Sequence, residues 1–311
     1  MHSLLYLPTH SQLSFSYAYV REDYLNTFMT KEDADGKEFY ETKVEPAAKI
    51  LKQFYDTGVQ LVGKDEEAPS LSFLQSATSI ATSKEVKIVI LDFLLKHKEL
   101  RDVHNEAGQI SIEKQLKQLE GIALWSMLTK PKPKVRFQRC ISILLSTRST
   151  KDTDPDGLAL LREEKEAILE ILNTSEFGAR AGEIKKVKAM LERLNEHRLV
   201  VQHQNRMEPL QSTLHLEHIL PQNHNNVESW NNNWTPQQSS EWKHRLGNLV
   251  LLNQKKNAKI GNGSFNVKAE HFSNSPYPLT NQISKHMEWN VASLTKNHED
   301  IIDLATEVFG L

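Results

Sequence analysis

The chain has 311 residues, of which 39% are apolar and 25% are charged, and its formal net charge is −2. A single cysteine, Cys140, excludes an intramolecular disulfide and a zinc site built from cysteines. Because there is no overall basic excess, binding to a nucleic acid would require a local basic patch. No apolar run is long enough to cross a bilayer and no signal-peptide pattern opens the chain, so we expect a cytoplasmic protein with no membrane contact.

Residues 1–203 are predicted to form an α-helical connecting or interaction domain. Apolar residues recur at helical spacing in several segments, and the most apolar of these is expected to be a buried central helix. Cys140 lies in an apolar helical stretch and is expected in the core. The predicted helices cover residues 44–59, 83–100, 111–128, 134–146, 154–173 and 182–200.

The composition changes after about residue 203, where Asn becomes frequent and four of the five Trp residues fall. We therefore predict a second domain over residues 204–311, in which a strand, a polar loop and a second strand precede a series of helices. The predicted strands are 213–220 and 249–252, the long polar loop between them is 223–242, and the predicted helices are 253–260, 264–272, 280–288 and 291–309.

Glu217 and His218 stand side by side near the end of the first predicted strand, shortly before Pro221. Neighbouring strand residues face opposite sides, so at least one of the two lies on or near a core face, which costs free energy unless it has a partner. Histidine is the usual general base, and a carboxylate is a hard ligand suited to Mg²⁺. The amide oxygen of Asn257 can serve as a second hard ligand, and Asn248 is placed to bond the loop backbone and hold the segment of His218.

The motifs LEHILPQ and RLGNLVLLNQKKN resemble those of the HNH, or His-Me finger, nucleases, whose core is the ββα-metal fold. In particular they resemble the C-terminal nuclease domains of the GmrSD-type modification-dependent restriction endonucleases. The resemblance covers about residues 205–311 and implies a mainly α-helical protein with a small ββα-metal core near the C-terminus. The residues that carry it are Glu217–Gln222, Trp230, Trp234, Leu246–Leu249, Asn257, Phe265 and Lys268.

This resemblance implies a metal-dependent DNA endonuclease that nicks DNA or cuts both strands, in restriction of foreign or modified DNA and defence against phage. It implies that His218 activates water, that Asn248 orients the loop, and that Glu217 and Asn257 hold one Mg²⁺, for which Mn²⁺ can substitute. The family's nucleotide-dependent sensor carries an Asp-Gly-Gln-Gln-Arg signature, which these 311 residues lack. We therefore expect a sensor partner, either a separate chain or another part of a longer protein.

Basic residues flank the predicted site, and we expect them to contact DNA phosphates rather than to form only a solvated face. The loop tryptophans Trp230, Trp234 and Trp242 are expected to pack the loop onto the domain, with stacking on bases as the alternative. The basic strip over 130–139 is either a linker or a second DNA contact. The predicted phosphate contacts are Lys243, Arg245, Lys255, Lys256 and Lys259.

An alternative function is a catalytically inactive subunit of a larger restriction complex, in which the HNH fold only binds DNA or another protein. The complete set of Glu217, His218, Asn248 and Asn257 argues against this alternative, whereas DNA affinity that needs neither metal nor His218 would support it. A third reading, compatible with the nuclease, is that residues 1–200 dock the sensor subunit.

Overall fold

The structure is a computed structural model of the chain. The predicted helix over 44–59 lies outside the described residues, apart from Glu45 and Lys49, which are helical and form an ion pair at 2.7 Å. The predicted helix over 253–260 also lies outside them, apart from Asn253, which ends a strand. The residues that the structure describes are 45, 49, 72–81, 84–96, 106–149, 158–201, 214–224, 227–253 and 261–311.

Helices dominate the described chain, as predicted, and two short strands lie between them. The elements in chain order are α1 (Ser72–Ala81), α2 (Lys84–Lys96), α3 (Glu106–Thr129), α4 (Pro133–Ser149), α5 (Arg162–Thr174), α6 (Ala181–Val201), β1 (Leu214–His218), α7 (Glu228–Asn233), α8 (Pro236–Trp242), a 3-10 turn (Leu246–Asn248), β2 (Leu249–Asn253), α9 (Phe265–Ser273), α10 (Pro278–Ile283) and α11 (Val291–Phe309).

Helix α1 has no counterpart among the predicted helices. Its sequence, SFLQSATSIA, is rich in Ser and Thr, which compete with the helix by bonding the backbone in other conformations. Here the Thr78 hydroxyl donates to the carbonyl of Leu74 at 2.7 Å, and the Ser79 hydroxyl donates to the carbonyl of Gln75 at 2.8 Å. Phe73 is 1% exposed and Leu74 is fully buried, so tertiary packing overrides the weak helix propensity.

The prediction of a polar loop over 223–242 is wrong, because most of this segment folds into α7 and α8. Helix α8 begins with a capping box in which the backbone N–H of Gln238 donates to Thr235 Oγ1 at 3.2 Å. In return the backbone N–H of Thr235 donates to Gln238 Oε1 at 3.0 Å, and Pro236 occupies the first turn. The sequence TPQQ at 235–238 is therefore a helix start, which the prediction missed because the segment is rich in Asn and Gln.

Two other helices differ from their predicted bounds. Helix α5 begins at Arg162 rather than at residue 154, and the carboxylate of Glu164 accepts the N–H of Leu161 at 2.8 Å to cap it. Helix α10 ends at Ile283 rather than at residue 288. The predictions for α2, α3, α4, α6, α9 and α11 are confirmed within a few residues over the described residues, the largest difference being at the start of α3.

Strands β1 and β2 form an antiparallel pair in which His218 lies opposite Leu249 and Glu217 lies opposite Val250. Residues opposite each other share a face of the sheet. Leu249 and Leu251 pack into the core formed by the long helices, whereas Val250 packs into a second core of aromatic side chains. Strand β2 is thus buried on both faces, which explains its continuous apolar run.

The second core contains the tryptophans that follow β1, together with Trp289. Trp230 and Trp234 are 1% and 3% exposed, so the prediction that they pack the segment onto the domain is confirmed. Their indole N–H groups donate to the carbonyls of Gly263 at 2.9 Å and Trp289 at 2.7 Å. Trp242 is only partly buried, and its ring contacts that of His298.

The first core is continuous from α1 to α11 and includes Cys140, as predicted. It joins helices on both sides of residue 203 with one face of the sheet. The boundary between domains 1–203 and 204–311 stays a prediction, but the hydrophobic core does not break there. Within the described ranges, no helix combines the length and apolar character that a membrane span requires.

Candidate functional site

Glu217 and His218 end strand β1 and point to opposite faces of the sheet, as the alternation of strand side chains requires. Each polar group finds its own partner. The carboxylate of Glu217 meets a lysine from α9, and the imidazole of His218 meets a second histidine from the segment between α8 and β2. The two faces therefore present different chemistry at one strand end.

Lys268 is fully buried, and its ammonium lies beneath the end of β1. The Nζ donates to Glu217 Oε1 at 2.6 Å and to the carbonyl oxygen of His218 at 2.6 Å. Burial lowers the pKa of Lys268, while the Glu217 carboxylate opposes that shift. Helix α9 places Phe265, Lys268 and Phe272 on one buried face. A lysine inside this apolar stripe was the sequence signal for a buried ion pair.

The imidazole of His218 is 8% exposed and lies in a polar pocket. Its Nε2 is 3.2 Å from Nδ1 of His244, and the side-chain nitrogen of Gln222 lies 3.2 Å from Nε2 and 3.3 Å from Nδ1. Burial, followed by the charges of His244, Lys268 and Lys243, lowers the pKa of His218 to about 3. The ring is therefore neutral at neutral pH, the state in which an imidazole can accept a proton.

Asn248 is fully buried, and its side-chain amide joins the two segments that enclose His218. Its Oδ1 accepts the N–H of Leu220 at 2.8 Å and the indole N–H of Trp289 at 3.2 Å. Its Nδ2 donates to the carbonyl of Leu220 at 3.0 Å and to that of Lys243 at 2.8 Å. All its hydrogen-bonding capacity is used in this way. The geometry suits a positioning residue and leaves no free group for a substrate.

Residue Gly247 precedes Asn248 and packs against the backbone of α11. A Cβ at this position would lie 2.6 Å from both Cα and Cβ of His298. The N–H of Gly247 donates to His298 Nδ1 at 3.1 Å, and its carbonyl accepts from Asn297 Nδ2 at 2.7 Å. Glycine is therefore required in the LGNL motif because a helix backbone approaches too closely for any side chain.

We expect Gly247→Ala to destabilise the protein by about 1–3 kcal/mol, because either α11 or the 3-10 turn must move. The matched control is Gly182→Ala in α6, where an added Cβ meets nothing within 4 Å. Urea unfolding of the full chain, followed by far-UV circular dichroism, measures both variants. Equal stability of Gly247→Ala and the unmodified protein would contradict the close approach.

The predicted phosphate contacts are only partly described. Arg245 donates from Nη1 to the carbonyl of Asn173 at 3.1 Å, so it ties the segment before β2 to the end of α5. Lys243 is partly exposed, and among the described residues no carboxylate forms an ion pair with it. Its charge contributes to the lowered pKa values of His218 and His244. The remaining predicted contacts, Lys255, Lys256 and Lys259, lie outside the described residues.

The basic strip over 130–139 is partly committed to internal ion pairs. Arg136 bonds Glu85 at 2.8 Å, and Arg139 bonds Glu164 at 2.8 Å, each pair being mostly buried. These two arginines therefore hold α4 against its neighbours. The residues of the strip that remain exposed are Lys130, Lys132, Pro133, Lys134, Val135 and Gln138.

The predicted metal ligands fit a divalent cation in part. Glu217 supplies a carboxylate, of which Oε1 bonds Lys268 and Oε2 has no protein partner within the described ranges. The second predicted ligand, Asn257, lies outside those ranges. In the described part of the chain, no three His, Cys, Asp or Glu side chains gather into a metal site. A hard cation would thus depend on Glu217 Oε2 together with oxygens from residues such as Asn257.

Four residues of this site were not among the predicted site residues. Lys268 and Gln222 were only parts of the motifs that carry the resemblance. His244 supplies the ring that meets His218, and Gly178 lies against both rings from the loop between α5 and α6. His244 is four residues before Asn248, so its place beside the motif was visible in the sequence. Gly178 is forty positions from His218 along the chain, and nothing in its local sequence marks it.

Residues 163–304 match the family model of the GmrSD restriction endonucleases, C-terminal domain. No curated protein matches the chain. The match begins in α5 and ends in α11, so it starts upstream of the region near residue 205 where the motifs first indicated the resemblance. It includes both strands, α9 and the loop that carries Gly178. Residues 163–304 of this chain are therefore similar to the C-terminal domain of the GmrSD restriction endonucleases.

Proposed function

We propose that this protein is a metal-dependent DNA endonuclease of the HNH type that acts in restriction of foreign or modified DNA and in defence against phage. The observation that carries the proposal is the end of β1, where consecutive residues supply a carboxylate and a neutral imidazole within a segment that matches a restriction endonuclease family. The family match supports the nuclease class, and the chemistry of His218 and Glu217 supports hydrolysis.

The arrangement of elements supports the HNH type. Strand β1 carries His218, the polar network of Asn248 follows, and β2 returns antiparallel to β1. In a ββα-metal site the helix after β2 would bring the second metal ligand, and here that segment would carry Asn257. Helix α9 then holds the end of β1 through Lys268, which donates a hydrogen bond to the carbonyl oxygen of His218.

In the proposed mechanism an imidazole nitrogen of His218 takes a proton from water as the oxygen attacks phosphorus. The O–H bond breaks, a P–O bond forms, and the bond from phosphorus to the leaving 3′ oxygen breaks. Glu217 and Asn257 would hold the Mg²⁺, or Mn²⁺, which supplies positive charge for the phosphate and the leaving oxygen. Lys268 holds Glu217 in place, and Asn248 fixes the backbone that follows His218.

DNA would be held through its phosphates by basic residues around the site. Lys243 is suited to this because its ammonium is partly exposed and forms no ion pair with a described carboxylate. Lysines contact phosphate without reading bases, so these contacts would position DNA rather than select a sequence. Arg245, Lys255, Lys256 and Lys259 are proposed to share this role. Selection of modified DNA would fall to a nucleotide-dependent sensor, on a separate chain or in another part of a longer protein.

The test of the proposed function is a plasmid cleavage assay on the full chain with Mg²⁺, with Mn²⁺ and with EDTA. We expect relaxed or linear product only in the presence of a divalent metal. Glu217→Gln should reduce cleavage and weaken metal binding measured by calorimetry, because a carboxylate is lost from the site. Glu241→Gln, an exposed carboxylate on α8, is the matched control and should behave as the unmodified protein. Cleavage that persists in EDTA would contradict a metal-dependent enzyme.

A further inference from the structure

The exposed part of the basic strip over 130–139 lies against the start of α6. Lys130 follows the end of α3, and its Nζ lies 3.4 Å from Glu183 Oε1, on a residue 53 positions away in the sequence. The Nζ of Lys186 lies 3.1 Å from the same carboxylate. One negative charge is therefore shared between two ammonium groups, and the contact fixes the strip beside the first turn of α6.

The same end of α6 is joined to the site at His218. Arg180 directly precedes α6, and its carbonyl accepts the N–H of Glu183 at 3.0 Å. Two positions before Arg180, the backbone of Gly178 packs so closely on His218 that an added Cβ would clash with the imidazole ring. A single short segment therefore connects the ring of His218 with the residue that holds Lys130.

The length of this segment limits the distance between the strip and His218. Glu183 is five positions after Gly178, and a chain spans at most about 3.6 Å per residue, or about 18 Å here. When the two side chains that meet at Glu183 are added, the Lys130 ammonium lies within about 30 Å of His218. One turn of duplex DNA is about 34 Å long, so a duplex with a phosphate at His218 can reach the strip within one turn.

Both segments at this contact carry an excess of positive charge, although the net charge of the whole chain is −2. Residues 130–139 contain five cationic side chains and no carboxylate, and residues 176–188 contain four cations and two carboxylates. The two arginines of the strip are held in internal ion pairs. Lys132, Lys134 and Arg180 are exposed, and within the described ranges no carboxylate forms an ion pair with them.

The turn between α3 and α4 presents its lysines on a rigid backbone. Pro131 and Pro133 each fix their own φ near about −65°, and Pro133 begins α4. Lys130 has a φ of 48°, a left-handed conformation that glycine adopts at a lower free energy. A lysine thus occupies a position that favours glycine, and its neighbour Lys132 lies between two prolines. Little backbone entropy would be lost when this turn binds a ligand.

We propose that Lys130, Lys132, Lys134 and Arg180 form a second DNA-binding surface, which holds duplex phosphates within one helical turn of the phosphate at His218. The inference rests on the proposed nuclease function. Lysine and arginine contact phosphates without reading bases at such a surface, so it would hold duplexes of any sequence. The alternative occupant is an acidic protein, but the short reach from His218 favours the DNA that the site itself would bind.

The first experiment measures the salt dependence of DNA binding by fluorescence anisotropy, with a labelled duplex of about 30 base pairs and about 50 to 200 mM salt. The protein is the full chain with His218→Ala, in EDTA, so that no cleavage occurs. Each lost phosphate contact lowers the slope of log K against log salt by about 0.9, so Lys132→Gln, Lys134→Gln, Arg180→Gln together should lower it by about 2–3. An unchanged slope would overturn the inference.

The matched control is Lys285→Gln, which removes an exposed positive charge at the other end of α6. Lys285 lines one cavity with Arg198, which is 18 positions after Arg180 and so about 27 Å further along the helix. This change should leave the slope as it is in the parent protein. Circular dichroism checks that each variant is folded. The triple variant keeps Lys130, so its contact with Glu183 is preserved.

The second experiment locates the bound DNA directly. The single cysteine, Cys140, is 3% exposed, so a cysteine introduced at the surface can be labelled selectively. A photo-crosslinker on Lys132→Cys should crosslink to the duplex, whereas the same group on Lys285→Cys should not. Bound duplex without crosslinks from position 132 would contradict the inference and favour an acidic protein as the occupant. Both readouts are independent of cleavage, so failure of the nuclease proposal and failure of this one can be told apart.

Discussion

His218→Ala is expected to lower plasmid cleavage by a factor of about 10²–10⁴, the usual contribution of a general base. The imidazole is neutral and belongs to the residue after Glu217 at the end of β1, so it is free to take a proton from water in the proposed mechanism. DNA binding should stay close to that of the unmodified protein, because a general base acts on the transition state and not on the bound ground state.

The matched control is His215→Ala, which removes an exposed imidazole from the same strand. It should leave cleavage unchanged. Binding is measured by fluorescence anisotropy with labelled DNA, and unfolding by circular dichroism, so that a loss of activity can be separated from a loss of structure. If His218→Ala kept more than a small fraction of normal cleavage while folded, His218 would have no place in the mechanism.

Lys268→Met is expected to give the largest loss of stability, about 3–5 kcal/mol, because it leaves the mostly buried carboxylate of Glu217 without its partner. Lys268 is fully buried, and its ammonium bonds both Glu217 and the carbonyl of His218. Methionine keeps most of the length and apolar contacts of the side chain, so the change tests the charge rather than the volume. Glu217 keeps some solvent access, which places the expected loss towards the lower end of the range.

The double variant Glu217→Gln, Lys268→Met should be more stable than Lys268→Met alone, because the unpaired charge is removed together with its partner. Lys285→Met, at an exposed lysine, is the control for loss of a positive charge. Urea unfolding of the unmodified protein, Glu217→Gln, Lys268→Met and the double variant gives the coupling free energy between Glu217 and Lys268. A coupling near zero would show that Lys268 contributes by packing and not by its contact with Glu217.

The positions of most elements followed from local patterns in the sequence. Periodic apolar residues determined the helices such as α6 and α11, because a helix that packs on a core must bury one face at a spacing of three and four. The short apolar run before Asn253 determined β2. Errors arose where composition outweighed a local signal, as in the Ser- and Thr-rich α1 and in the capping box at Thr235 that starts α8.

The order of motif residues in the sequence was enough to indicate the resemblance to the family, and that resemblance predicted Glu217, His218 and Asn248 as site residues. It could not select the groups that these side chains contact. Gly178 and Lys268 reach the site from positions forty and fifty residues away from His218. Periodicity reports which face of an element is buried, whereas the partner on that face depends on how the elements pack, and only the tertiary structure decides that.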